Sequence, residues 1–94
     1  EVNLTLEDEI VADFHVWLME HVAEMLTFDG FQDAKLYRVE DESLHRLTLW
    51  YTVESRDSLD RYFNGPASRM REDGLKRFGG RFQATRRILS IMSD

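Results

Sequence analysis

Cysteine is absent from the sequence. That excludes disulfides, thiolate metal centres, iron–sulfur clusters and cysteine nucleophiles together. Proline occurs once, at Pro66, and the five glycines are scattered, so there is neither a phosphate-cradling loop nor a dinucleotide fingerprint. No apolar run approaches the ~18–20 residues that a membrane-spanning helix requires, and no signal peptide opens the chain. A cytoplasmic domain without membrane contact is therefore expected. The serine-hydrolase elbow Gly-x-Ser-x-Gly is missing. His15 and His21 point about 120° apart on one helix and cannot share a metal. No metal and no cofactor is expected.

What is present suits a folded chain. The 94 residues are 43% hydrophobic and 32% charged, with 11.1 kDa of mass, and are read as one domain over 1–94. A chain this short buries only roughly 60–65% of its unfolded surface, so a homodimer is expected on thermodynamic grounds. The net charge of −6 is unevenly placed: residues 1–47 carry 12 acidic and 3 basic side chains, residues 48–94 carry 6 and 9. The basic run from Arg69 to Arg87, with Phe78 and Phe82 interleaved, is the pattern of a nucleic-acid stripe. The overall negative charge and the lack of a nucleic-acid motif argue against that reading. The expected alternative is an acidic half lying beside a basic half, its own or a partner's.

Hydrophobic spacing supplies the elements. Val2, Leu4 and Leu6 alternate with polar residues as a short strand. Thr5-x-x-Asp8 has capping-box form ahead of a helix. From Ile10 to Leu26, at 100° per residue, Ile10, Phe14, Trp17, Leu18, His21 and Met25 share an arc of about 140° with Val11 and Val22. Asp29-Gly30 turns the chain. Strands follow over Phe31–Val39 and Leu44–Val53, with the charged segment 40–43 as the hairpin between them. Ser55 caps a second helix, which Asn64-Gly65-Pro66 breaks, so that Pro66 starts another helical piece. Leu59, Phe63, Ala67 and Met70 form its apolar side. Gly79-Gly80 turns into a last strand, Arg81–Ile91. With right-handed crossovers, this β-α-β-β-α-β order gives an α+β, ferredoxin-like fold: a four-stranded antiparallel sheet with two helices on one face. The other face carries Tyr37, Val39, Trp50 and Leu89 among polar residues, and Tyr37, Trp50 and Leu89 are the expected dimer contacts.

Within this frame His21 is the most informative polar residue. It sits in the apolar arc, flanked by Trp17 at i−4 and Met25 at i+4. Two readings are open: a neutral core histidine bonded to a carbonyl or to Tyr51, or an acid, base or ligand donor in a pocket between helix and sheet. Tyr51 belongs to the sheet face that looks toward this helix. Arg38 and Arg86 either bind a carboxylate there or form edge-strand salt bridges. His21 and Tyr51 are thus the candidate catalytic pair, and Trp17, Met25, Arg38 and Arg86 the candidate ligand contacts.

Trp17, His21 and Met25 at four-residue intervals, the run Gly30-Phe31-x2-Ala34-x-Leu36-x-Arg38, a strand ending at Tyr51, and Arg77-Phe78-Gly79-x2-Phe82-x-Ala84-x-Arg86 resemble an uncharacterised bacterial domain family. That family is similar to the dimeric α/β-barrel superfamily, whose members pair two split βαβ sheets. The resemblance spans nearly the whole chain and implies the fold and a homodimer. For activity it implies only a range, from cofactor-free monooxygenases and isomerases to members with no known reaction. Relatives carry a histidine next to the position of Ala67 and another shortly before the Arg-Phe-Gly stretch. Here Pro66 and Gly74 stand there, so a histidine-dependent role for the second helix does not carry over. The expected function is a homodimeric domain binding a small organic ligand between helix and sheet; the alternative is a small cofactor-free enzyme using His21 as acid or base.

Overall fold

A computed structural model describes residues 1–40 and 45–93. The hairpin expected over 40–43 lies largely outside the described residues. Four strands, β1 (Val2–Leu6), β2 (Phe31–Arg38), β3 (Arg46–Val53) and β4 (Phe82–Arg86), form one antiparallel sheet in the order β2-β3-β1-β4. Helices α1 (Val11–Met25), α2 (Arg56–Asn64) and α3 (Ala67–Phe78) connect them. The result is an α+β fold compatible with a ferredoxin-like arrangement.

Each helix is built from its sequence signals, with one exception. Residues 8–10 make a 3₁₀ turn whose N-cap is Glu7, without a side-chain capping bond. Thr5 does not form the capping box, because pairing of β1 with β4 runs through Leu6↔Phe82 and keeps Thr5 in the strand. In α1 the middle of the apolar arc is fully covered: Phe14 is 0% and Leu18 2% exposed. The Ser55 side chain accepts a bond from the Ser58 nitrogen at 3.2 Å and caps α2. Pro66 lacks the donor that would continue the ladder, and α3 begins directly after it. Phe63, placed on the apolar side by spacing, is instead 40% exposed, while Tyr62 takes the inward position.

Two hydrophobic clusters fill the space between sheet and helices. The first joins Leu4, Leu6 and Leu49 of the sheet to Ile10, Phe14, Trp17 and Leu18, with Phe78 and Phe82 packed against it. Phe14 lies 5.0–5.2 Å, centroid to centroid, from the rings of Trp17, Phe78 and Phe82. The second cluster joins Met25, Phe31 and Met70 under Tyr51, Val53, Leu59 and Tyr62. Gly74 lets α3 approach α1: a Cβ there would stand 3.0 Å from the Trp17 ring.

Two departures reshape the sheet. A register shift between Phe31 and Asp33 lets Phe31 pair with Val53 and Asp33 with Thr52. The extra residue of this bulge turns Phe31 inward, although plain alternation would place it on the side of Lys35 and Tyr37. The last strand is also shorter than expected and stops at Arg86. Its partner β1 starts at Val2, and the last rung is the pair of bonds between Glu1 and Arg87.

Gly30 takes φ +83°, and a Cβ there would lie 2.3 Å from Ser58 Oγ. Ser58 is itself held by Arg61 and Ser55. Gly30→Ala should lower stability by about 2 kcal/mol or more in urea unfolding, from conformational strain plus the clash. Gly79→Ala, with φ +58° and nothing within 4 Å, should show the strain contribution of about 1–2 kcal/mol alone.

Candidate functional site

Between the inner face of the sheet and the three helices lies a cleft of about 960 Å³, continued by residues 88–91. Its wall is mostly apolar; Glu1, Ser55, Arg56 and Arg87 stand on its lining too, and five further polar side chains come from five elements. His21 is supplied by α1, Tyr51 by β3, Tyr62 by α2, Arg71 by α3 and Arg86 by β4.

His21 stacks on Trp17, with ring centroids 4.6 Å apart and planes inclined by 29°. Trp17 donates from Nε1 to Asp73 Oδ2 at 2.9 Å, which fixes the indole against α3. Neither nitrogen of His21 has a hydrogen-bond partner among the described residues, so the bond to a carbonyl or to Tyr51 does not form. Burial lowers the His21 pKa below its ordinary 6.5, opposed by the carboxylates of Asp73 and Glu24 and assisted by Arg86. The imidazole is therefore neutral at pH 7.

Tyr51 presents the most unusual atom in the cleft. Its hydroxyl is shielded from solvent and has no hydrogen-bond partner among the described residues. A group left in that state costs about 1–3 kcal/mol. Burial also raises the Tyr51 pKa well above its ordinary value, with Arg86 pulling the other way. The neighbouring Tyr62 is raised by burial too, against Arg86, Arg71 and Arg69. Arg86 is lowered by partial desolvation and then by the like charge of Arg71. The residue remains exposed.

The structure therefore brings together Trp17, His21, Met25, Tyr51 and Arg86 of the residues singled out by sequence. It does not bring in Arg38, which sits exposed opposite Leu47 and away from the cleft wall. Leu89 falls past the end of β4, 56% exposed, and lines the cleft together with Glu1 and Trp50. Tyr37 and Trp50 do lie on the outer face, 42% and 47% exposed, with rings 5.3 Å apart at 70°. There Trp50, Asn3 and Arg87 all donate to the Glu1 carboxylate, at 2.9, 2.9 and 2.6 Å. These bonds, led by Arg87, hold its pKa down to about 2.

Sequence reasoning missed Tyr62, Arg71 and Asp73. Tyr62 follows Leu59 by three on the same helix face, a usable signal. Arg71 and Asp73 were hidden inside the basic run. That run is paired with the acidic half of the same chain: Arg69 with Glu24, Arg81 with Glu9 and Arg87 with Glu1, alongside Arg61 with Asp29. His45 is half-buried and pairs with Asp8. Among the described residues, no group of three His, Cys, Asp or Glu side chains is arranged to hold a metal. No described helix is long and apolar enough to cross a membrane.

The sheet order and the helix-covered cleft define a small α+β domain of ferredoxin-like layout. The chain belongs to a family described as a domain of unknown function, DUF4286, whose model matches residues 1–92. No curated protein and no solved structure matches it.

Because the folded-state pKa of His21 is depressed, its contribution to stability is complete above about 6.5 and is lost as pH falls below that value toward the folded-state pKa. NMR titration of the His21 ring should give a midpoint below 6.5. His21→Gln should remove that part of the pH dependence of urea unfolding. Asp73→Asn, which keeps an acceptor for the indole, should lower the His21 midpoint further.

Proposed function

We propose that this domain is a small-molecule-binding module of the bacterial cytoplasm, working as a homodimer, with the cleft between helices and sheet as its binding site. The observation that carries the reading is the cleft itself. A volume of about 960 Å³ is at the upper end of what drug-sized ligands occupy, and apolar walls with a few convergent polar groups are the usual form of such sites. The unpartnered Tyr51 hydroxyl and the unbonded nitrogens of His21 are groups that an occupant would satisfy. The homodimer is supported by the exposed Tyr37–Trp50 pair on the face away from the helices and by the small core of so short a chain.

A second reading, a cofactor-free oxygenase or isomerase, draws on one feature: a neutral imidazole with a free nitrogen on the cleft wall, able to take up a proton near neutral pH. Turnover of a cleft ligand that disappears in His21→Gln while binding persists would favour it over simple binding.

Binding is tested by a thermal-shift screen of small organic molecules, followed by NMR mapping of each hit. A ligand at about 100 times its Kd adds roughly 2.7 kcal/mol to apparent stability, which for a chain of this size raises Tm by on the order of 10 °C. The expected perturbations fall on Trp17, His21 and Tyr51, and His21→Ala should weaken the hit. Hits mapping only to the outer face would overturn the proposal. For the dimer, sedimentation should give twice 11.1 kDa, and Trp50→Glu should dissociate it. A strict monomer at ~100 µM would contradict the dimer, since Kd for a useful interface lies well below that.

A further inference from the structure

Charge pairing across this molecule leaves a conspicuous remainder. The acidic and basic halves neutralise each other through the four ion pairs of Arg61, Arg69, Arg81 and Arg87. Of the arginines with no carboxylate partner among the described residues, Arg38 and Arg77 lie outside the cleft; the other two are Arg71 and Arg86, although the chain carries six more acids than bases. Both line the cleft. They are near enough for the charge of Arg71 to oppose that of Arg86. The same cleft wall holds the shielded, unpartnered Tyr51 hydroxyl.

We infer that the occupant of the cleft is an amphiphilic anion, an acidic head on an apolar or aromatic body, gripped at its head by Arg71 and Arg86. The inference rests on the binding reading above and specifies its ligand class. Two guanidinium groups facing one space repel each other until an anion enters between them, and each offers a planar fork of donors that matches carboxylate or phosphate oxygens. Tyr51 and Tyr62 hold phenolic protons beside them, because burial disfavours the phenolate in both and, for Tyr51, the neighbouring Tyr62 adds to it. They stay donors, which is what an anionic head needs. The remaining wall, including Trp17, Met25, Phe31 and Leu49, is too apolar for a free inorganic ion and suits a hydrocarbon or ring body. A metal cation would meet like charge here.

The test pairs acids with alcohols of the same body: decanoate and decyl phosphate against 1-decanol, and 1-naphthoate against 1-naphthol. Affinities are measured by calorimetry below the micellar concentration. In the wild type an acid of each pair should bind at least ~10-fold more tightly than its alcohol, the gain expected of charge-assisted hydrogen bonds. The two decyl acids distinguish a carboxylate-selecting site from a phosphate-selecting one. Arg71→Gln and Arg86→Gln should each weaken acid binding about 10-fold and leave alcohol binding unchanged. Arg38→Gln, a lost charge outside the cleft, should change neither. Should the glutamine variants fail to fold, salt gives an independent readout on the wild type: 0.5 M NaCl should weaken the acids and spare the alcohols. Equal binding of acids and alcohols would overturn the anion assignment while leaving the cleft a binding site. Absence of binding by every probe would overturn both.

Discussion

The indole of Trp17 sits where α1 and α3 close upon each other, and the layout of the helical layer depends on how it is held. One face stacks on His21, the edge donates to Asp73, and Gly74 offers the gap that lets α3 approach to van der Waals contact. The ring also leans on Phe14 and Phe78. Any side chain at position 74 would push against this ring and lever α3 away from α1. A packed clasp at this end of the helical layer is what permits an unfilled space beside it. Both core clusters, the second built on Met25, Phe31 and Met70, supply side chains to the cleft wall.

His21, Tyr51, Tyr62, Arg71 and Arg86 come to the site from five different elements. No single helix or strand contains a motif, because none could place a cation, two phenols and an imidazole on one concave surface. The sheet contributes Tyr51 and Arg86 through alternation. The helices contribute His21, Tyr62 and Arg71 by overhanging it. Arg61, Arg69, Arg81 and Arg87 are paired to acids from the other half of the chain, and Arg71 and Arg86 of the cleft wall have no such partner among the described residues.

Much of the fold was legible in the sequence because periodicity is local. The α1 arc, the Ser55 cap, the break at Pro66 and the inward set of Leu47, Leu49, Tyr51 and Val53 all follow from spacing. What was not legible required knowledge of partners. The bulge after Phe31 inverts a residue that alternation assigns outward, and only pairing with β3 reveals it. β4 stops at Arg86, so Leu89 lies past the strand and alternation does not place it. Thr5 had the side chain of a helix cap but was claimed first by the sheet. At the site, His21, Tyr51 and Arg86 were identified by type and face. Arg71 was not, since a basic residue in a basic run carries no mark of which one lacks a counter-ion.

The interruption between α2 and α3 has a mechanical consequence. Pro66 donates no hydrogen bond, and the ladder resumes only with the Met70 nitrogen bonding back to the Pro66 carbonyl. No backbone bond of α3 reaches into α2. The nine residues of α2 are therefore tied to the molecule by side chains: Ser58 sits against Gly30, Arg61 pairs with Asp29, and Leu59 and Tyr62 pack into the second cluster.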